Sequence, residues 1–359
     1  MCNHDYKSGL LLQWHLTERC NLRCHHCYQE GYRGEELPYR DLLRILEQYH
    51  ELLTRYGEER GQPELRGHVT LTGGEPFARK DLLELCEELA RHRHRHSWAL
   101  LTNDTLIDEE RAARLRALRP SFVQVSIEGS RKVHDEIRGK GSHAQSVGGI
   151  RHLLGHGIRV FLSFTAHSGN LGEFRKVARL GQRLGVDRVW ADRLIPEGQG
   201  SVGGLRSPAP EETRRFLRSM RRTQELMRKS WLIFPPEIAM HRTLQFLEGG
   251  ERPYRCTAGK SLLTVLPDGT LVPCRRMPLP VGNLRSRSMT ELYYQSPLLR
   301  ELREPERNAE GCEGCLHARV CGGGLRCLSQ AAHGSPYHAD PGCWRARPSR
   351  AGRPLRVVA

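Results

Sequence analysis

A strand-like stretch followed by a helix-like one recurs through roughly the first 200 residues, and few folds accept that order. LLLQWHL (10–16), VTLT (69–72), WALLT (98–102), FVQVSI (122–127), VFLSFT (160–165) and RVWADRL (188–194) are short apolar runs of strand length. Between them, the stretch after Pro38 and those near 79–91, 107–118, 143–155 and 170–184 carry apolar residues at helical spacing. Strands joined by helices pair in parallel, so an α/β fold is predicted, either an open doubly wound sheet or most of a barrel. Both gather their chemistry at the C-terminal ends of the strands, which is where candidate residues are sought.

Glycine and proline crowd 196–210, marking a linker or domain edge, and helical stretches are predicted near 211–229 and 237–248. From Cys256 onward seven cysteines fall in 88 residues with little core-forming periodicity, so metal clusters rather than an apolar core are expected to hold that region. No apolar run approaches the roughly 18 residues of a membrane span, and MCNHDYKSGL lacks the apolar segment and cleavage site of a signal peptide. The expected location is the cytoplasm, where clustered cysteines point to metal rather than disulfides. The net charge of +15 comes from 49 Arg and 7 Lys scattered along the chain. No aromatic-interleaved basic stripe accompanies it, which argues against nucleic acid. RHRHRH (91–96) has a metal tract's composition but lies between a helix and a strand, where a solvated connection is expected.

CNLRCHHC (20–27) puts three cysteines in eight residues and supplies no fourth. Spacing of i, i+4, i+7 suits a buried helical stripe of thiols, and His25 or His26 would complete a structural zinc site. The stretch lies just past the first strand, on the chemically active face, and a closed site has no evident purpose there. Three thiolates on an iron–sulfur cluster leave one iron open to a ligand, which fits that position better. LTGGEP (71–76) follows the second strand. Its glycines permit a close approach to the backbone, and Glu75 can accept hydrogen bonds from an ammonium group.

Together the two motifs resemble the radical S-adenosylmethionine (radical SAM) superfamily, which implies a partial (β/α)6 TIM-type barrel over residues 1–205. The resemblance implies that Cys20, Cys24 and Cys27 hold a [4Fe-4S] cluster whose open iron binds the methionine moiety of S-adenosylmethionine. It places Gly73, Gly74 and Glu75 at the methionine amine, Tyr28 beside the adenine, Thr102 and Ser126 as polar contacts at the third and fourth strand ends, and Arg138 on the methionine carboxylate. A forked guanidinium suits that carboxylate. No catalytic acid or base is named. Glu128 and Asp192 also lie at strand ends and are as readily structural.

The later cysteines run Cys256, Cys274, Cys312, Cys315, Cys321, Cys327 and Cys343, with a hairpin turning at Asp268-Gly269. That order is similar to a SPASM domain, here 256–345, after a helical linker (206–255) and before a basic tail (346–359). The resemblance implies two auxiliary [4Fe-4S] clusters, an outer one on Cys312, Cys315, Cys321 and Cys343 and an inner one on Cys256, Cys274 and Cys327. Two features depart from the family. GGGLR before Cys327 is two residues longer than usual, and GGERPYR before Cys256 lacks the eighth cysteine of some members, which leaves the inner cluster an open iron. Cys86 reads as a small core residue and Cys2 as unligated.

SPASM-bearing radical SAM enzymes mostly modify peptides or proteins. The expected activity is therefore reductive cleavage of S-adenosylmethionine to a 5′-deoxyadenosyl radical, which abstracts hydrogen from a ribosomally made precursor peptide to give a crosslink, thioether or epimer. An external electron donor is implied. The cluster motif starts at residue 20, so no leader-binding domain is expected to be fused, leaving that task to a separate protein or another surface. The five-arginine stretch 345–359 suits an acidic leader, or is a solubilising tail. Sulfatase-maturing enzymes carry an aspartate after the second SPASM cysteine, where this chain has Arg275. A non-catalytic electron-transfer protein would need neither the GGEP turn nor Arg138.

Overall fold

Leu, Val, Ala and Phe fill both faces of the central strands, so each strand must be covered by helices above and below or by the inside of a barrel. The computed structural model describes residues 9–202, 204–229, 235–250, 253–304 and 309–347. In chain order it has β1 (Leu11–His15), α1 (Tyr39–Glu58), β2 (Gly67–Thr72), α2 (Leu82–Arg91), β3 (His96–Thr102), α3 (Glu109–Leu118), β4 (Val123–Ser126), α4 (Arg131–Arg138), α5 (Ser142–Gly155), β5 (Val160–Ala166), α6 (Phe174–Leu184) and β6 (Arg188–Arg193). All six expected strands are present, with the expected helices between them. β1 to β6 pair in sequence order and in parallel, as the β/α units of a partial barrel. α1 shows how the pattern works: Leu42, Ile45, Leu46, Tyr49, Leu52, Leu53 and Tyr56 form one buried stripe.

Beyond β6 follow α7 (Gln199–Val202), α8 (Pro210–Arg228), β7 (Glu237–Ile238), β8 (Leu262–Val265), β9 (Thr270–Val272) and β10 (Gly282–Asn283). The sheet order is β10-β9-β8-β1-β2-β3-β4-β5-β6-β7. Three expectations are corrected here. The helix near 237–248 is absent: Glu237–Ile238 instead extends the sheet beside Arg188 and Val189, and Thr243–Glu248 forms a 3-10 turn ended by Gly249 at φ +96°. Two tertiary ties override the helical pattern, Arg188 Nε to Glu237 Oε2 at 2.7 Å and Arg242 Nη2 to Asp192 Oδ2 at 2.5 Å. Next, residues 256–303 do have a core. β8 pairs in parallel with β1, and Leu263, Val265, Leu271, Met289, Leu292 and Leu299 join the barrel's own apolar cluster. Finally, RHRHRH is not wholly solvated: His96 opens β3, fully buried, with its Nδ1 3.0 Å from His50 Nε2.

Cys86 is fully buried in the core, as expected. Cys2 and residues 348–359 of the basic tail lie outside the described residues. Among the described residues no helix is long and apolar enough to cross a membrane.

Candidate active site

The loop from Leu16 to Gln29 is tied to the sheet at several points. Leu16 N–H donates to Thr72 (2.9 Å), Gly74 and Glu75 donate to the Thr17 and Arg19 carbonyls (2.8 Å each), and His25 donates to Ile137 (2.9 Å). The two glycines of LTGGEP have a role that the sequence reading did not see. A Cβ on Gly73 (φ +153°) would lie 2.5 Å from the Thr17 oxygen, and one on Gly74 2.4 Å from the Arg19 oxygen. The chain segment that approaches them so closely is the cysteine loop itself.

Glu75 is fully buried and its carboxylate is already occupied. It accepts from Thr102 Oγ1 (2.8 and 2.9 Å), Asn103 N–H (2.8 Å) and Phe77 N–H (3.1 Å). Burial pushes its pKa up, against the pull of those hydrogen bonds. Thr102 thus points its hydroxyl at Glu75. Asn103, unnoticed in the sequence, reaches the cysteine loop with its amide, 2.9 Å from Asn21 Oδ1 and 3.8 Å from Cys20 Sγ.

Glu128, at the end of β4, organises the opposite wall. Its Oε1 takes Arg138 Nη2 (2.6 Å) and Nε (3.1 Å) and lies 3.0 Å from His26 Nε2, while Oε2 accepts from Thr165 N–H (2.8 Å). Burial would raise this carboxyl's pKa, but Arg138 and His26 outweigh it and hold it well below the usual range. Two of the three fork nitrogens of Arg138 are therefore spent on Glu128, and Nη1 faces Cys24 Sγ at 3.8 Å. His26, a zinc ligand on the sequence alone, is instead buried against Glu128. Its place inside CNLRCHHC was the available signal.

Cys20, Cys24 and Cys27 line one cavity of about 220 Å³ together with Gly73, Gly74, Thr102, Ser126 and Arg138. Cys256, Cys274 and Cys327 line the same cavity. Cys312, Cys315, Cys321 and Cys343 surround a separate small pocket. The structure thus brings the ten cysteines together as three, three and four. All are free thiols, and burial pushes Cys24 up to about 11 and raises Cys20, Cys274 and Cys327. Soft sulfur donors in threes and fours, buried or half-buried, fit iron–sulfur clusters. No three His, Cys, Asp or Glu side chains among the described residues converge as a single-ion site does. Tyr28 sits between the two cysteine sets, 6.4 Å edge-on from His15 and with the Arg275 guanidinium 5.2 Å from its ring centre. Ser126 Oγ is 3.3 Å from Ser163 Oγ.

Two salt-bridged clamps fix the wall beside the inner cysteines. Asp192, at the end of β6, pairs with Arg242 and Arg276. Burial alone would raise its pKa, but the two guanidinium groups hold it well below the ordinary range. Arg193 forks onto Asp340 at 2.6 and 2.5 Å, and Asp340 also accepts from the Leu325 and Gly342 N–H groups, tying β6 to the segment that carries Cys327 and Cys343.

The Radical SAM superfamily model matches residues 14–180 and the SPASM model, an iron-sulfur cluster-binding domain, matches 256–316. The chain is a radical SAM enzyme with a SPASM domain. Among its curated relatives, the Fe-coproporphyrin III synthase and an AdoMet-dependent heme synthase of Methanosarcina barkeri are each 28% identical to it. The first match covers 92% of this chain and 86% of the relative, and the second 93% and 95%. Streptococcus suis SuiB bound to precursor peptide SuiA superposes with a TM-score of 0.66 at 17% identity, over 92% of this enzyme and 75% of SuiB, a likeness of fold.

Proposed function

We propose that this radical SAM enzyme abstracts a hydrogen atom from a ribosomally made peptide bound between its two sets of three cysteines. The observation that carries the reading is the shared cavity. The wall between the sets presents Gln13, Gln124, Ser163 and Thr165 and several arginines, a surface suited to a polar, hydrogen-bonding substrate. On this reading Cys20, Cys24 and Cys27 hold a [4Fe-4S] cluster that, with S-adenosylmethionine and an external electron donor, supplies a 5′-deoxyadenosyl radical. Arg138 Nη1, the Gly73–Glu75 turn and Ser126 orient the methionine end, with Glu128 and His26 fixing the guanidinium. Cys256, Cys274 and Cys327 hold the inner auxiliary cluster, and Cys312, Cys315, Cys321 and Cys343 the outer one. Leader recognition falls to a separate protein or another surface. Arg275 follows Cys274 on the cavity wall, where a sulfatase maturase would place its aspartate, so that activity is not proposed.

A second reading takes a tetrapyrrole as substrate. It is favoured by the names of relatives that align over nine-tenths of the chain, together with an arginine-lined cavity suited to carboxylates. Reduced enzyme with S-adenosylmethionine is incubated separately with the peptide encoded beside its gene and with iron coproporphyrin III. The peptide reading expects 5′-deoxyadenosine and a peptide lighter by two hydrogens. Turnover of the porphyrin alone would overturn it.

A further inference from the structure

Five arginines line the central cavity, and four of them are paired with carboxylates of the protein itself. Arg138 pairs with Glu128, Arg193 with Asp340, and both Arg242 and Arg276 with Asp192. Arg275 differs. No carboxylate of the described residues lies within ion-pair distance of it. Its guanidinium instead rests 5.2 Å from the ring centre of Tyr28. Glu197, half-buried, feels its charge from beyond pairing distance.

We propose that Arg275 anchors a carboxylate of the substrate, an inference that rests on the cavity being the substrate site. A guanidinium held against a ring keeps its planar fork ordered and its N–H edge free, the geometry that takes a carboxylate through two parallel hydrogen bonds. A cation facing a cavity without a counter-charge has lost part of its hydration, and an anionic ligand restores what was lost. Balancing the inner cluster is the competing role, and iron content in Arg275 variants separates the two. The charge of Arg275 is felt by Tyr28, His15 and Glu197, which surround it on this side. His15 stands edge-on to the same Tyr28 ring, with its Nε2 buried and without a hydrogen-bond partner. For a peptide the anchored group is an Asp or Glu side chain or a free C-terminus. A tetrapyrrole propionate shares the same chemistry.

The test titrates anaerobically reconstituted enzyme by calorimetry with two pairs of probes. One pair is a short peptide rich in Asp and Glu against its Asn and Gln counterpart. The other is iron coproporphyrin III against its tetramethyl ester. The acidic peptide should bind about 10- to 100-fold more tightly than the amide one. Arg275→Gln should abolish that preference and Arg275→Lys keep part of it, with iron per chain unchanged in both. An Arg275-dependent preference confined to the porphyrin pair would uphold the anchor and overturn the peptide reading. Binding of neither acid, a preference that survives in Arg275→Gln, or loss of iron in that variant would overturn the anchor.

Discussion

Cys20, Cys24 and Cys27 sit on a loop tied to β2 and α4 by backbone hydrogen bonds, whereas Cys312, Cys315 and Cys321 sit on a run of turns and one short helix, with no strand among the described residues of 309–347. In the second region the cysteines' own bonds are local, from Cys312 to Ala309, Cys315 to Cys312, and Cys321 to His317, while Tyr337, Asp340 and Arg347 are joined by backbone bonds to Glu310, Gly323 and Gly311. Gly311, Gly314 and Gly322 to Gly324 adopt positive φ there. The first group is placed by the fold and presented to a cavity. The second surrounds a small pocket away from it, and its metal is expected to hold the chain in place. Similar spacings are thus expected to serve different ends: one site borrows order from the sheet, and the other adds order to a segment built mainly of turns.

The largest expected effect follows from this contrast. Replacing Cys312 and Cys315 by Ser should remove hydrogen-exchange protection across 309–347, because a structural metal site contributes on the order of 10 kcal/mol to folding. The same measurement on a Cys20, Cys24, Cys27→Ala triple variant should leave protection of β1 to β6 in place. Equal losses in the two variants would erase the distinction.

Smaller effects are expected at the buried acids that join the regions. Asp340→Ala strands Arg193 in the interior and unties β6 from the outer cysteines, while Glu128→Ala strands Arg138. Each should cost about 3–5 kcal/mol in urea unfolding. Arg19–Glu36, with Arg19 nearly half exposed, serves as the control at about 0–1 kcal/mol. Hydrogen exchange sharpens the comparison further: Asp340→Ala should loosen 309–347 preferentially, and Glu128→Ala the cysteine loop.

The smallest effect is in the acid range. Glu128 and Asp192 are held below their ordinary pKa values of 4.5 and 3.8. The unfolded chain therefore takes up protons first as pH falls, and the stability these ion pairs contribute, complete above the ordinary carboxylate range, is lost progressively below it. Glu128→Gln should flatten the slope of stability against pH below about 4.5. An unchanged slope would show that the Glu128–Arg138 pair does not set it.

The barrel was legible because buried parallel strands and amphipathic helices write their periods directly into the sequence. The cysteine loop and GGEP turn were legible through their joint resemblance to a known family, since the spacing by itself also suits a buried thiol stripe or a zinc site. What escaped were groups whose role depends on a distant partner. Nothing near Glu128 announces that Arg138 and His26 will converge on it, and Asp192 acquires Arg242 and Arg276 only through the fold. β8 reads as half of a hairpin, and its parallel pairing with β1, some 250 residues earlier, carries no local signal. The stretch 237–248 had helical spacing, but its ion pairs to β6 were worth more than its propensity.

Ten cysteines gather as three, three and four, with the two threes lining one cavity. Iron per chain tests it most directly. Anaerobically reconstituted enzyme should hold about twelve iron atoms, falling to about eight in the Cys20, Cys24, Cys27→Ala variant and likewise in a Cys256, Cys274, Cys327→Ala variant. A wild-type value near four, or an inner-cysteine variant that keeps all twelve, would contradict the account.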